Sequence, residues 1–441
     1  MVQPRIDVDL NLLDGLNELS PTQRDELAAQ LPQGVWFATP PATRAAGERR
    51  DPDTEWTLTG DAYDGQVATG RAGVYYAPGR RTVTRPLVLA DGFNYGPSDL
   101  PDLWAHFNTP YGKDERLLDQ LLEAGVDVIL LGFDERHTHI QANAEVAIAL
   151  VRRLAAQAAR EDLIVGGVSM GGMITRYALA KMEFDGEEHK TGTYFSWDTP
   201  HNGAWIPLIL QQMAHFFEAF IPEVPDQPKQ AELLRSPAAQ QLLWAWVENS
   251  KYSGEVTRSP LREEFLLDLA RVGDYPVVPR KLGVANGDGK GVGLELEPGE
   301  IAFDWKHKLG IASATARVQP HNGTKERIGG MHLGLSVRRS TTTAVPALDG
   351  APGGTLASFG LVAKALGIAI DDRFRSSCFV PSVSAVAIGT EPVYDGDPAR
   401  GVSLLPADLS ALDGFLCNDG NSPHSEVTKT LADWLLPRLT K

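Results

Sequence analysis

A serine in a tight glycine turn is the first group in this sequence that could do chemistry. Residues 163–182 have the sequence LIVGGVSMGGMITRYALAKM, with an apolar run before GVSMG (167–171) and a helical pattern after it. The spacing G-x-S-x-G between a strand and a helix is that of a nucleophile elbow, in which only small residues fit two positions before and after the serine. The turn lifts the hydroxyl clear of the sheet and aims the N-terminal N–H groups of the helix at a reacting carbonyl. We therefore predict that Ser169 is a nucleophile.

The elements around this serine alternate between apolar strands and amphipathic helices. The predicted strands cover residues 86–93, 126–133, 163–167, 191–201 and 280–287, with a later strand at 379–389. The predicted helices cover residues 113–125, 140–160 and 170–183, with a closing helix at 426–439. Short apolar strands that alternate with helices indicate an α/β fold with a mostly parallel central sheet and helices on both faces. Right-handed crossovers bring the carboxyl ends of such strands to one edge, where ligands bind.

The N-terminal part of the chain, residues 1–84, is predicted to lead into this sheet. It contains a helix over residues 20–31, for which Ser20 is the expected N-cap and Gln23 completes a capping box. Alternating patterns that end in Gly or Pro predict two antiparallel strands after this helix. These strands cover residues 54–60 and 66–79.

Two insertions are predicted to interrupt the alternating core, whose two parts are residues 85–204 and 280–441. Residues 205–279 are expected to form a helical cap or lid, because the strand–helix alternation stops there. Residues 288–355 are Gly-rich with β-like pieces and are expected to form a second insertion. The apolar face of residues 205–221 is expected to be the core of the cap, and its alternative role is an apolar acyl pocket or lid.

Composition excludes several classes of partner. The chain has 441 residues, of which 43% are hydrophobic, so a large core can be buried. Lys and Arg number 41 and Asp and Glu number 57, which gives a formal charge of −16. Such an acidic protein is not expected to bind nucleic acid or an anionic membrane surface. No run of about 18 apolar residues is present, so no membrane span is expected.

The cysteine and histidine content gives no sign of a metal site. Cys378 and Cys417 are the only cysteines, so one bridge is possible but no disulfide framework or Cys-based zinc site. His137 and His139 form a pair without a clear third ligand, and we expect neither a metal nor a cofactor. The first residues lack the basic and apolar segments of a signal peptide. These features favour a cytoplasmic protein, although a secreted protein whose signal peptide had been removed would have the same sequence.

Several segments resemble a known superfamily. PLVLADGF, GGVSMGG, DTPHNGA and NSPHSEV, in that order, resemble α/β-hydrolases of the lipase and esterase type, and PHNG (200–203) looks like a turn that many lipases carry. RSPAAQQLL, YPVVPRKLGVANG, APGG and FVPSVSA also resemble a group of large bacterial hydrolases of unassigned substrate. The similarity covers most of residues 85–440. It implies an α/β-hydrolase fold.

A serine nucleophile needs a base, which is usually histidine. In the order typical of α/β-hydrolases the base follows both the serine and the acid and lies after the last strand. Of the ten histidines only His424 fits that order, in the turn-rich loop before the closing helix.

The acid has more than one candidate. Asp198 ends the strand after the elbow helix, and Asp288 ends the next strand of the sheet, which is the usual place. Against Asp288, the surrounding NGDG resembles an ordinary hairpin turn. Both aspartates stay open as the acid, with a slight preference for Asp198, and Asp371 and Asp372 are further alternatives.

The resemblance also implies an oxyanion hole. It takes the N–H of Met170, directly after the serine, and a second N–H from the loop after the third strand, which here is that of Phe93. His201, in the PHNG turn, is expected to satisfy backbone groups rather than to catalyse.

Together these features predict hydrolysis of carboxylic esters through an acyl-enzyme on Ser169. An ester is the default bond, because an alkoxide leaves more easily than an amine. The apolar cap predicts a small-molecule or lipid-like substrate with a bulky or hydrophobic group. Two alternatives stay open: an acyltransferase or cyclising acyl-transfer enzyme with the same triad, and a non-catalytic binding protein with a relic elbow.

Overall fold

The computed structural model describes residues 19–30, 47–157, 162–218, 229–255, 257–319, 325–343, 345–389, 402–404 and 407–440. Most of the predicted N-terminal part before residue 47 lies outside the described residues, as do the ends of the predicted helices 20–31, 140–160 and 205–221.

The described residues form fifteen strands and twelve α-helices. The strands are β1 (Thr54–Tyr63), β2 (Gln66–Tyr75), β3 (Pro86–Ala90), β4 (Asp127–Phe133), β5 (Leu163–Val168), β6 (Thr191–Trp197), β7 (Gly254–Glu255), β8 (Arg280–Asp288), β9 (Ile301–Lys306), β10 (Ala312–Arg317), β11 (Glu326–Leu333), β12 (Ser336–Thr343), β13 (Gly353–Leu356), β14 (Ser377–Pro381) and β15 (Gly414–Asn418). The helices are α1 (Pro21–Gln30), α2 (Leu100–Phe107), α3 (Leu117–Glu123), α4 (Ile140–Gln157), α5 (Met170–Phe184), α6 (Leu208–Phe217), α7 (Gln230–Leu234), α8 (Pro237–Leu242), α9 (Pro260–Arg271), α10 (Ser358–Ala365), α11 (Ser382–Ala385) and α12 (Lys429–Leu439).

An eight-stranded sheet lies at the centre, with the strand order β1-β2-β4-β3-β5-β6-β8-β15. The pairs β1–β2 and β2–β4 are antiparallel, and all the others are parallel. The antiparallel pair at the N-terminal end and the parallel core therefore confirm the predicted arrangement. With the elbow at the end of β5, this is the α/β-hydrolase fold.

Helices cover both faces of this sheet because successive side chains of a strand point to opposite sides. On β3, Val88 and Ala90 pack in one buried cluster with α4, α5 and α9, whereas Leu87 and Leu89 pack in another with α2, α3 and α12. Both faces are thus apolar, which explains the continuous apolar runs in the sequence. The helix α9, which lies within the predicted cap, contributes Phe265 and Leu269 to the first of these clusters.

The residues of the predicted cap pack with those of the second insertion. A five-stranded sheet of order β7-β12-β11-β10-β9 joins residues of both segments, since β7 pairs with β12. The helix α6 lies against this sheet so closely that a Cβ on Gly329 would come within 2.6 Å of Ile209. The domain boundaries at residues 205, 280 and 355 stay predictions, but the two insertions share one hydrophobic cluster.

Two local predictions have opposite outcomes. The capping box before α1 is confirmed, with Ser20 N donating to Gln23 Oε1 at 2.9 Å and Gln23 N donating to Ser20 Oγ at 3.3 Å. The strand predicted at residues 379–389 is wrong for most of its length. Its first residues belong to β14, which among the described strands pairs only with β13, and the short helix α11 follows Pro381. The last strand of the central sheet is β15 instead, whose half-buried residues show no alternating pattern.

None of the helices in the described part of the chain is long and apolar enough to cross a membrane.

His215 on α6 gives the insertions a pH-dependent stability. It is buried, its Nε2 lies 2.8 Å from the Val247 carbonyl oxygen, and Arg235 lies 3.3 Å from its Nδ1. Burial, followed by the charge of Arg235, lowers the pKa of His215 from 6.5 to about 4, although the bond to Val247 opposes the shift. The unfolded chain therefore binds a proton below pH 6.5 that the folded chain does not, so the stabilisation is lost as the pH falls.

We expect the free energy of unfolding to drop more steeply between pH 7 and pH 5 in the wild type than in His215→Gln. The difference should be about 2 kcal/mol, since Gln keeps a donor for Val247 but does not titrate. Urea unfolding at the two pH values measures it. Identical pH dependences in the two proteins would contradict this account of His215.

Candidate active site

The chain turns sharply at Ser169, between β5 and α5. The residue has φ 53° and ψ −125°, a conformation that L-residues rarely adopt. Its N–H donates to the Trp197 carbonyl oxygen at 2.9 Å, which fixes the turn against β6. A Cβ on Gly167 would lie 2.3 Å from the carbonyl carbon of Gly171, and a Cβ on Gly171 would lie 2.2 Å from the Ala90 oxygen. The two flanking glycines are therefore required by close backbone packing, as the elbow motif predicts.

A buried hydrogen bond joins His424 to Asp198. Their Nδ1 and Oδ2 atoms are 2.7 Å apart, and the exposed fractions of the two residues are 3% and 0%. Because a carboxylate only accepts, Nδ1 carries the proton, and Nε2 of the neutral ring is an acceptor. Within the part of the chain that the structure describes, the buried Nε2 has no hydrogen-bond partner. The ring is thus in the tautomer that a general base needs.

Asp198 is itself held in a fixed orientation. It follows β6 with a positive φ of 45°, and its Oδ1 accepts a hydrogen bond of 2.9 Å from Asn286 N on β8. A Cβ on Gly354 would lie 1.9 Å from Oδ2, so this glycine leaves the space that the carboxylate occupies. Backbone from two other strands therefore surrounds the carboxylate.

Asp288, the alternative acid, lies elsewhere in the network. Its Oδ1 accepts from Lys290 N at 2.7 Å and from Val292 N at 2.9 Å, which closes the turn after β8. The expectation of a hairpin turn at NGDG is wrong, because its first three residues belong to the buried end of β8. The carboxylate that contacts His424 is thus Asp198, whereas Asp288 closes a turn, and the role of Asp198 as the acid stays a prediction. Of the further alternatives, Asp371 is the N-cap of a short 3-10 helix, and Asp372 is the first residue of that helix.

Sequence reasoning missed Asn286, whose side chain connects β6, the strand before Asp198, to the loop that contains His424. Its Oδ1 accepts from Trp197 Nε1 at 3.1 Å, and its Nδ2 donates to Ser422 Oγ at 2.9 Å and to the Glu426 carbonyl oxygen at 2.8 Å. A fully buried amide needs such partners. The available signal was an asparagine at the end of an otherwise apolar strand.

Ser169 lies next to β6, the strand that precedes Asp198, and has no direct hydrogen bond to His424 in the described structure. Ser169 N bonds to the carbonyl of Trp197, and Asp198 is the next residue. Among the described residues no hydrogen bond joins Ser169 Oγ to His424 Nε2. Such bonds are often long without substrate and tighten in the reacting complex.

The loop after β3 brings Phe93 toward the elbow. A Cβ on the preceding Gly92 would lie 3.1 Å from Ser169 Cβ, so this loop and the serine are in contact distance. In the described residues no backbone acceptor is recorded for the N–H groups of Phe93 and Met170. The two groups stay the predicted donors of an oxyanion hole.

This loop is fixed by a salt bridge that the sequence analysis did not identify. Arg136 Nη1 lies 3.3 Å from Asp91 Oδ2, and its Nη2 donates to the Tyr95 carbonyl oxygen at 3.0 Å. Asp91 also accepts from Gly92 N at 2.7 Å and from Ser98 Oγ at 2.7 Å. The two charged side chains are mostly buried, so they hold the loop in one shape.

His201, the histidine of the PHNG turn, has no hydrogen bond to Ser169, Asp198 or His424 in the described structure. His201 is buried with its Nε2 3.0 Å from Ser196 Oγ, so its partner is a hydroxyl and not the backbone group that was expected. Burial, and then the nearby Arg176, lowers the pKa of His201 well below its usual value. Across the described residues no group of three His, Cys, Asp or Glu side chains is arranged to hold a metal ion.

Comparison with known proteins gives structural likeness only. No family model matches the chain, and no curated protein matches it. The mature Bacillus licheniformis lipase is 14% identical, with 54% of this chain and 74% of that chain covered and a TM-score of 0.28. A Pyrobaculum calidifontis esterase is 14% identical, with 52% and 75% covered and a TM-score of 0.26. Brefeldin A esterase, a bacterial homologue of human hormone-sensitive lipase, is 15% identical, with 63% and 77% covered and a TM-score of 0.28. The fold assignment rests on the strand order of the chain itself.

We expect Asp198→Asn to slow phosphonylation of Ser169 by a fluorophosphonate on the order of 10³-fold, because an amide favours the wrong tautomer of His424. Asp288→Asn is the matched control. It keeps the acceptor for the turn and should react within about threefold of the wild type. Intact mass against time gives both rates. Equal losses in the two variants, or a larger loss in Asp288→Asn, would refute the assignment of the acid.

Proposed function

We propose that this protein is a serine hydrolase that cleaves carboxylic esters through an acyl-enzyme on Ser169. The observation that carries the proposal is the buried 2.7 Å hydrogen bond between Asp198 and His424 Nδ1, because it leaves Nε2 free to accept a proton. Further support comes from the strained turn at Ser169 and its bond to Trp197, the neighbour of Asp198.

In the first half of the reaction His424 Nε2 takes the proton of Ser169 Oγ as the oxygen attacks the acyl carbonyl. The N–H groups of Met170 and Phe93 receive the negative charge on the carbonyl oxygen. The C–O bond to the alcohol then breaks, and the alkoxide leaves with the proton from Nε2. In the second half water attacks the acyl group, with His424 again as base and then as acid.

Asp198 stabilises the histidinium that forms in each half-reaction. The carboxylate and the ring are both buried, so their attraction is stronger than it would be in water. The backbone N–H of Asn286, on β8, keeps the carboxylate in place throughout. No reorganisation of the dyad is then needed when the proton moves.

The surroundings favour a substrate with a bulky or hydrophobic part. Phe379 contacts the His424 ring edge-on, with ring centroids 4.9 Å apart. Phe93 and Tyr95 are only partly buried and pack against the hydrophobic cluster of the insertions. Trp205, at the start of the predicted cap, donates its backbone N–H to the Phe379 carbonyl oxygen at 2.7 Å. Phe379 therefore contacts both the predicted cap and the His424 ring. We extend the proposal to small-molecule or lipid-like esters with such a group.

The test is hydrolysis of p-nitrophenyl esters with acyl chains from two to twelve carbons. Ser169→Ala should lower kcat/KM at least about 10³-fold, because no other group replaces the nucleophile. Ser253→Ala is the control, because this serine is exposed and lies in the predicted cap. Its kcat/KM should match that of the wild type. The rates of the wild type should rise with chain length.

Wild-type turnover by Ser169→Ala would overturn the proposed hydrolase. Equal rates for all chain lengths would overturn the apolar substrate class alone. Ester products formed with an added alcohol, in place of the free acid, would turn the proposal into an acyltransferase with the same triad.

A further inference from the structure

The backbone next to His424 has an uncommon conformation. Ser425 has a φ of 63° and is buried. This left-handed region is unfavourable for a residue with a side chain, so the surroundings must hold it. Ser425 directly follows His424, so the surroundings that hold its conformation also hold the peptide that joins the two residues.

A second histidine holds this residue. His106 Nε2 lies 2.8 Å from the Ser425 carbonyl oxygen and 3.1 Å from Ser425 Oγ. Because a carbonyl oxygen only accepts, the proton of the neutral His106 ring is on Nε2. One N–H group thus fixes both the peptide and the side chain of Ser425.

The helix that carries His106 contacts the acid strand as well. Phe107 packs edge-on against Trp197, with ring centroids 5.8 Å apart and an interplanar angle of 82°. Trp197 directly precedes Asp198, so neighbouring residues of α2 contact the residue before Asp198 and the residue after His424. The buried Leu103 and Trp104 anchor this helix in the core. The sequence gives no sign of these contacts, because they join residues that lie far apart in the chain.

We infer that His106 is a positioning residue, which holds Ser425 in its left-handed conformation and so keeps the His424 ring aligned with Asp198. This inference rests on the proposed function of the same site. It assigns to His106 no contact with substrate and no proton transfer.

The charge state of His106 fits this role. Burial lowers the pKa of His106, and the neighbouring His424 lowers it further, although the bond to Ser425 and the charge of Asp91 act in the opposite direction. The uncharged ring keeps its Nε2–H for Ser425. It also adds no positive charge beside His424 when that ring is protonated.

The experiment compares two isopolar replacements, His106→Gln and His106→Asn. Gln places an N–H donor at the distance of Nε2, whereas Asn is too short to reach Ser425. We expect His106→Asn to lower kcat for a p-nitrophenyl ester by about 10- to 100-fold with KM changed less than about threefold, and His106→Gln to keep most of the wild-type kcat. His215→Gln is the control, because it replaces another histidine that bonds a backbone carbonyl through Nε2.

A substrate-free readout accompanies the kinetics. The proton between His424 Nδ1 and Asp198 should give a low-field NMR resonance in the wild type and in His106→Gln, and this resonance should broaden or disappear in His106→Asn. Thermal unfolding establishes that each variant is folded. A merely structural role of His106 would lower the melting temperature without a change in kcat or in this resonance.

Wild-type kcat and an unchanged resonance in His106→Asn would overturn the inference. If His106→Asn did not fold, a folded His106→Gln with a 10-fold or larger loss of kcat would overturn it equally. Failure of the proposed function has a different signature, because the wild type itself would then neither hydrolyse the ester nor react with a fluorophosphonate. The NMR comparison would still decide the role of His106 in that case.

Discussion

The arrangement of the site depends on one buried hydrogen bond, the 2.7 Å contact between His424 and Asp198. Removing a carboxylate and an imidazole from water is costly unless their remaining polar atoms are satisfied. The protein meets this requirement on the side of Asp198 with the N–H of Asn286, and it leaves His424 Nε2 without a partner in the described structure. The one unsatisfied atom of the pair is therefore the atom that accepts the serine proton in the proposed mechanism.

The parallel sheet makes this contact possible between residues 226 positions apart. The carboxyl ends of β5, β6 and β8 lie side by side, which brings the serine turn, the acid and Asn286 to one edge. The histidine loop follows the neighbouring β15 and enters from the same edge. Both insertions extend from this region, and Phe379 from β14 contacts the histidine. The two predicted insertions thus begin at the edge of the sheet that holds Ser169 and Asp198.

Local rules predicted much of this structure from the sequence. The elbow follows from steric limits within five residues, and the order of elements pointed to His424. The choice between Asp198 and Asp288 stayed open, because both end buried strands and a sequence does not show which side chain reaches a distant loop. Asn286 and His106 were missed for the same reason, since the partner of His106 lies 319 residues away. The strand predicted at residues 379–389 is wrong for most of its length, because tertiary pairing and not local pattern determines that β15 joins the central sheet.

The most direct test of the central claim is to trap the acyl group during turnover. The wild type is mixed with a p-nitrophenyl ester, quenched in acid within milliseconds, and digested for peptide mass mapping. The account predicts a transient acyl adduct on Ser169 that decays as the free acid appears. Ester hydrolysis without any adduct on Ser169, or with the acyl group on another residue, would contradict it.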